Sequence, residues 1–188
     1  MNLIKRLYKE NIFCRLFVKI LIGLAALYML SILLLFLFQD NLIFYPQKLS
    51  QTAFVNIKEP TVENIELKVD KTETVRGWFC KNDPHQKQKL ILYFGGNAEE
   101  VSYLVRESTE IKGWSVALTN YRGYGMSDGK PSEKDLFSDA LKIYDYYANR
   151  PDIDTDHIVI MGRSLGTGIA TYLASQRKAK GVILISPY

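Results

Sequence analysis

The chain has 188 residues, 47% of them hydrophobic, with 24 Lys and Arg against 20 Asp and Glu for a formal net charge of +4. Five of the cations (Lys5, Arg6, Lys9, Arg15, Lys19) fall in the first 40 residues beside only Glu10 and Asp40. The remainder is therefore close to neutral, with no basic stripe of the kind that binds nucleic acid. Two cysteines (Cys14, Cys80) and two histidines (His85, His157) show no metal-ligand spacing, and no cofactor is expected.

Ile20 to Phe38 is an unbroken run of 19 uncharged residues in which Ser31 is the polar interruption. At about 1.5 Å per residue such a helix reaches roughly 28 Å, the thickness of a hydrocarbon core. A cleaved signal would have a shorter apolar region ending in small residues, and Phe36-Leu37-Phe38-Gln39-Asp40 has none. The expected organisation is a basic cytoplasmic segment (1–16), a transmembrane helix (17–38), a linker (39–60) and a folded domain (61–188). The twenty residues after the run hold only Lys48 and Lys58, so the cation bias predicts a cytoplasmic N-terminus and an extracytoplasmic domain. The lipid bilayer is then a partner, and Cys14 and Cys80, on opposite sides of it, cannot pair.

After the linker, Val62 to Val69 and Thr74 to Cys80 read as two strands joined by a turn at Asp70 to Glu73. Strands and helices then alternate: strand Lys89–Phe94, helix Glu99–Ile111, strand Trp114–Thr119, helix Ser132–Ala148, strand His157–Met161, helix Leu165–Arg177 and strand Val182–Ile185. This alternation predicts an α/β fold, a mostly parallel sheet with helices on both faces. Ser132 with Asp135 three residues on predicts a helix cap. Leu136, Ala140, Ile143, Tyr144 and Tyr147 share one helical face and are read as core.

Gly162-Arg163-Ser164-Leu165-Gly166 stands between the β-branched run His157–Met161 and the next helix. A Gly-x-Ser-x-Gly turn from strand to helix lets the backbone bend sharply enough to expose the serine hydroxyl above the sheet. A reaction at that hydroxyl develops an oxyanion that needs backbone N–H groups already aimed at it. One donor is expected from Leu165, which follows the serine; the other is assigned to Asn97, through its backbone, in the loop Gly95-Gly96-Asn97-Ala98 after the third strand. Gly96, Tyr121, Arg122 and Tyr124 leave strands at the same edge of the sheet and are candidates to border a cleft there, the alternative for Arg122 being that it holds its loop by bonds to backbone carbonyls.

These segments together resemble a known family. Gly95-Gly96-Asn97-Ala98-Glu99, Asn120-Tyr121-Arg122-Gly123-Tyr124-Gly125-Met126-Ser127-Asp128-Gly129, Gly162-Arg163-Ser164-Leu165-Gly166 and Leu42-Ile43-Phe44-Tyr45-Pro46 are similar to those of membrane-anchored serine α/β-hydrolases, the serine aminopeptidase-like group that includes depalmitoylases and lysophospholipases. The resemblance implies an α/β-hydrolase fold, Ser164 as the catalytic nucleophile, and a small-molecule or acylated substrate cleaved at an ester, thioester or amide through an acyl-enzyme. Gly95 departs from the pattern, which often has histidine there.

A serine nucleophile needs a histidine base held by a carboxylate, and in this family both follow the serine. No His, Asp or Glu occurs after Ser164. His157 stands seven extended residues before the serine, roughly 20 Å away at the opposite edge of the sheet, and His85 precedes the strand leading into the Gly95 loop. Asp128 is on the correct edge but has no imidazole beside it. The run Gly181-Val182-Ile183-Leu184-Ile185 reads as an interior strand, apolar on both faces. The expectation is accordingly a hydrolase domain cut after its sixth strand and inactive in these 188 residues. The alternatives are a non-enzymatic remnant with a retained cleft and a membrane-tethered interaction protein. Oligomeric state is left open.

Overall fold

The computed structural model describes residues 2–50, 52, 57, 59–83 and 85–187, with side chains from residue 12 onward. Part of the expected linker (51, 53–56 and 58) lies outside the described residues. Two compact units result, Met1–Leu42 and Ile43–Tyr188.

The first unit is helix α1, Asn2–Ile43. From Ile12 to Ile43 its large apolar side chains are exposed, the stretch Ile20–Phe38 carrying no charge, and its 32 residues make about 48 Å of helix. One such helix near an N-terminus has the length and composition of a membrane anchor or of a signal sequence. It runs past the expected end at Phe38, taking in Gln39, Asp40 and Asn41. No residue there breaks a helix, whereas Pro46 excludes helical geometry from the residue before it.

The second unit is a six-stranded sheet in the order β1-β2-β4-β3-β5-β6. Strands β1 (Val62–Lys68) and β2 (Thr74–Cys80) form an antiparallel hairpin, and β2 also lies antiparallel to β4 (Ser115–Thr119). From β4 onward, β3 (Gln88–Phe94), β5 (Ile153–Arg163) and β6 (Gly181–Ile185) are all parallel. Each parallel pair is joined through a crossover, as parallel pairing requires. The loops that follow β3, β4 and β5 therefore emerge at one edge.

Alternation along the strands divides the core between two faces. Leu90, Leu92 and Phe94 of β3 join Ala117, Ile158 and Ile160 beneath helices α3 (Glu133–Ala148) and α4 (Leu165–Gln176). Ile91 and Tyr93 point the other way, with Trp78, Val116 and Leu118, toward Val101 and Val105. The expected stripe on α3 is buried throughout, and Ser132 caps the helix by accepting from the Asp135 N–H at 3.2 Å. Within it Tyr147 meets the Phe79 ring edge-on at 5.3 Å, yet its buried hydroxyl finds no partner among the described residues. Tyr147→Phe removes that unsatisfied group while keeping the ring, and is expected to raise stability by about 1 kcal/mol in a denaturation experiment.

Two elements of this unit differ from expectation. The helix expected over Glu99–Ile111 is a 3-10 turn, Val101–Leu104, followed by the short helix α2, Val105–Thr109. Side chains divert its start: Glu100 accepts from the Ser102 N–H, and Asn120 Oδ1 accepts from the Val101 N–H at 3.1 Å. Strand β5 extends to both sides of the apolar run, because Ile153 reaches Gln88 of β3 and Arg163 reaches Ile185 of β6. Strand β6 forms where expected and pairs with β5 at the sheet's edge, with Val182, Ile183, Leu184 and Ile185 all exposed.

Candidate active site

Gly162 and Arg163 finish β5, and Leu165 opens α4. Ser164 between them has φ 47° and ψ −117°, a region that side-chain-bearing residues rarely occupy. The turn is this tight because two backbones nearly touch. A Cβ on Gly162 would stand 2.2 Å from Gly166 O, and one on Gly166 only 2.0 Å from Phe94 O. The strain is held by Ser164 N–H donating to Ile185 O at 2.9 Å and by Ser164 O accepting from Thr167 N–H at 2.8 Å and Thr167 Oγ1 at 2.6 Å. The result is an exposed serine at the N-terminus of a twelve-residue helix. The first N–H groups of that helix, Leu165 among them, have no acceptor within it.

Ser164 opens on a cleft of about 500 Å³ shared with Gln47, Gly96, Asn97, Ala98, Glu99, Glu100, Tyr103 and Arg163. Gly96 borders the serine closely: a Cβ there would lie 3.7 Å from Ser164 Cβ. Ala98 is a second non-glycine residue at positive φ, 54°. Of the expected site, then, Ser164, Gly96 and Asn97 line one cleft, with Leu165 adjoining. The Asn97 N–H meets no acceptor among the described residues. Its amide is engaged: Oδ1 accepts from Tyr45 N–H at 3.0 Å, from Tyr124 OH at 2.9 Å and from Ala98 N–H at 2.9 Å, and Nδ2 donates to Ile43 O.

Tyr121, Arg122 and Tyr124 do not line the cleft, and that expectation is corrected: they are buried behind it. Tyr121 OH donates to Gly95 O at 2.7 Å, so it braces the glycine loop from below. Arg122 makes a bidentate pair with Asp139 of α3 at 2.6 and 2.8 Å, and its third nitrogen donates to Asp70 in the β1–β2 turn at 2.6 Å. Burial pushes the Asp139 carboxyl up and the Arg122 guanidinium opposes it. With two charge-assisted bonds the pair is ionised at neutral pH.

Glu99 is a site residue that the motif reading missed. Its buried carboxylate accepts from Gly96 N–H at 2.6 Å, Tyr93 OH at 2.7 Å and Tyr103 OH at 2.8 Å, and faces Arg163 at 3.3 Å. Burial alone would raise its pKa, but the Gly96, Tyr93 and Tyr103 bonds and the Arg163 charge outweigh it and hold the carboxyl below its ordinary range. The signal was present as a carboxylate three residues past Gly96, where it reaches back to the loop. A depressed folded-state pKa adds stability above the unfolded value, and the stability is lost as pH falls through the folded one. Glu99→Gln is therefore expected to cost on the order of 2 kcal/mol at pH 7. Thermal melts should show this deficit shrinking as the pH is lowered below about 4.5.

Neither histidine approaches the serine. His157 pairs with Asp154 at 2.7 Å near the start of β5, and His85 lies in the exposed turn before β3. Asp128 pairs with Arg76 at 2.9 Å. No cluster of metal-ligating side chains occurs among the described residues.

This order of strands, with a glycine loop after β3 and a serine turn after β5, is matched by known proteins. Residues 90–188 match the family model for the alpha/beta hydrolase fold. The chain belongs to the α/β-hydrolase fold family. Among its relatives, the alpha/beta hydrolase domain-containing protein WAV2 of Arabidopsis thaliana is 31% identical over 87% of this chain and 55% of its own length. Protein bem46 of Schizosaccharomyces pombe is 27% identical over 87% of this chain and 58% of its own. Of solved structures, an alpha-beta hydrolase from Vibrio vulnificus superposes with TM-score 0.61 and 27% identity, over 80% of this chain and 57% of that one. An esterase of Pyrococcus furiosus, 18% identical with TM-score 0.55 over 77% of this chain and 56% of that one, shares the fold. The chain thus spans somewhat more than half the length of those proteins.

Proposed function

We propose that this chain is part of a membrane-anchored serine hydrolase acting on an ester, thioester or amide. Ser164 is the nucleophile, and the Asn97 and Leu165 N–H groups receive the oxyanion. The observation carrying this reading is the Ser164 backbone, held at φ 47° between two glycines that close contacts keep bare, facing the Gly96 loop across a cleft. Maintaining such strain at an exposed serine has a ready chemical use, since it aims the hydroxyl and the helix N-terminus at one point. Helix α1 is the anchor, N-terminus cytoplasmic, with the hydrolase unit on the other side.

In the reaction Ser164 Oγ adds to the substrate carbonyl as its proton passes to a base, and the leaving group departs with a proton to give the acyl-enzyme. Water then releases the acid. No histidine stands within reach of Ser164 among the described residues, so the base has to come from outside these 188 residues. The chain alone is expected to be inactive in turnover.

A fluorophosphonate probe applied to cells that make the protein tests this. The label is expected on the peptide containing Ser164 and should disappear in Ser164→Ala. The isolated chain should label about 10²–10⁴-fold more slowly, the contribution of a general base. Absence of label on the cellular protein would reject the hydrolase assignment in favour of a binding role for the cleft.

A further inference from the structure

Glu99 lies against the loop that carries the Asn97 N–H. A Cβ on Gly96 would stand 3.0 Å from Glu99 Oε2, and one on Gly95 3.4 Å from Glu99 Cδ. Each carboxylate oxygen is engaged twice. Oε1 accepts from Tyr93 OH at 2.7 Å and Tyr103 OH at 2.8 Å; Oε2 accepts from Gly96 N–H at 2.6 Å and faces Arg163 Nη1 at 3.3 Å. The side chain is 5% exposed. Bonds of this kind favour the ionised form, so Glu99 is a poor proton acceptor and does not serve as the base for Ser164.

The N–H groups on either side of Asn97 are both occupied. That of Gly96 goes to Glu99, and that of Ala98, whose φ is 54°, goes to Asn97 Oδ1 at 2.9 Å. The same Oδ1 is fixed by Tyr45 N–H at 3.0 Å and Tyr124 OH at 2.9 Å. Between these two the Asn97 N–H meets no acceptor among the described residues. A free donor with both neighbours held in place is already oriented when charge develops, which is the requirement for stabilising a transition state. The opposite wall is tied in too. Arg163 directly precedes Ser164, so the Glu99 carboxylate bonds the glycine loop on one side of the cleft and the serine turn on the other. Its negative charge would oppose an oxyanion nearby, and the Arg163 guanidinium offsets it.

Building on the nucleophile and oxyanion assignments above, we infer that Glu99 is a positioning residue for the oxyanion site. Its carboxylate occupies the Gly96 N–H while Asn97 Oδ1 occupies that of Ala98, and the Asn97 N–H between them is left as the donor and held toward Ser164. Glu99 itself touches no reacting atom.

Fluorophosphonate labelling in the cells that make the protein reads this, because the phosphoryl oxygen of the probe takes the place of the oxyanion. Rates over a range of probe concentrations separate the maximal rate from half-saturation, and the final extent of labelling counts folded molecules. Glu99→Met fills similar volume without an acceptor. It is expected to lower the maximal rate about 10²-fold, as loss of an oxyanion donor does, with half-saturation unchanged. Glu99→Gln, whose amide oxygen can still accept from Gly96 N–H, should recover most of that loss. Arg150→Leu is the stability control. Arg150 bonds Glu63 at 3.0 Å and Asp152 at 2.9 Å before β5, far from its serine end, so the extent should fall and the rate should not. A maximal rate in Glu99→Met equal to wild type overturns the proposal, as does an equal loss in Glu99→Met and Glu99→Gln. If Glu99→Met gives no folded protein, Asn97→Ala decides from the other flank. It frees the Ala98 N–H, a similar loss of rate is expected, and a rate equal to wild type overturns the proposal. Absence of label on the wild-type protein rejects the hydrolase reading and the positioning role with it. A wild-type label unaffected by these variants removes the positioning role alone.

Discussion

Gly166→Ala is expected to cost about 4 kcal/mol or more, at the extreme of what single substitutions do. The added methyl would sit 2.0 Å from Phe94 O and 2.6 Å from both Phe94 C and Gly95 O. Phe94 ends β3, where it pairs with Gly162 of β5, and Gly95 O is held by Tyr121 OH, so those atoms have little room to retreat. Relief requires α4 to lift off the sheet, which breaks the Ser164 turn as well. With a total stability of about 5–15 kcal/mol for a domain of ordinary size, much of the folded population is then lost. Gly96→Ala makes a useful contrast. Its methyl meets the Glu99 carboxylate at 3.0 Å, the movable end of a side chain, and backbone no nearer than 3.7 Å. About 1 kcal/mol is expected there, the low end for overpacking. Urea denaturation of the two variants side by side measures the difference, and equal costs would refute the close-approach argument.

Arg122→Leu should cost about 3–5 kcal/mol, the range for removing one member of a buried ion pair. Asp139 is 3% exposed and, among the described residues, its carboxylate bonds this guanidinium alone, so the substitution strands a carboxylate in the α3–sheet interface. The cost also depends on pH. An unpaired buried carboxyl has a pKa raised above its unfolded value, so the folded state takes up a proton as the pH falls. The deficit of Arg122→Leu is therefore expected to be larger at pH 7 than at pH 5. The double variant Arg122→Leu, Asp139→Leu should recover much of the loss, because no charge is left buried. A deficit independent of pH, with no recovery in the double variant, would mean that packing of the arginine stem rather than charge is what matters.

Both variants act on the same cleft from different sides. Gly166 sets the distance between the serine turn and the end of β3. Arg122 ties the loop after β4 to α3 and to the β1–β2 turn, and its neighbour Tyr121 braces Gly95. The cleft is accordingly supported by buried groups that never touch its contents.

Much of this was legible in the order of residues. The alternation of apolar runs with helical stripes marks every strand and the two long helices, because strand and helix periods of 2 and 3.6 residues are local properties. Gly162-Arg163-Ser164-Leu165-Gly166 was readable for a similar reason, as a sharp turn between two such elements. Boundaries were less so. The Glu99–Ile111 helix is broken by the Glu100 carboxylate and by Asn120, the latter 19 residues from the N–H it takes. The strand around His157 grows at both ends by pairing with β3 and β6, which no window of sequence contains.

Roles at the site divide along the same line. Composition and motif by themselves determined that this chain carries an apolar helix of membrane-spanning length, an α/β sheet and a serine in a strained turn, since each depends on residues adjacent in the chain. Tertiary structure alone decided that Tyr121, Arg122 and Tyr124 stand behind the cleft and that Asn97 binds the 43–45 segment. These facts turn on hydrogen bonds and charge pairs between groups up to 54 residues apart, such as Asn97 and Ile43, whose partners are selected only when the sheet brings its loops to one edge.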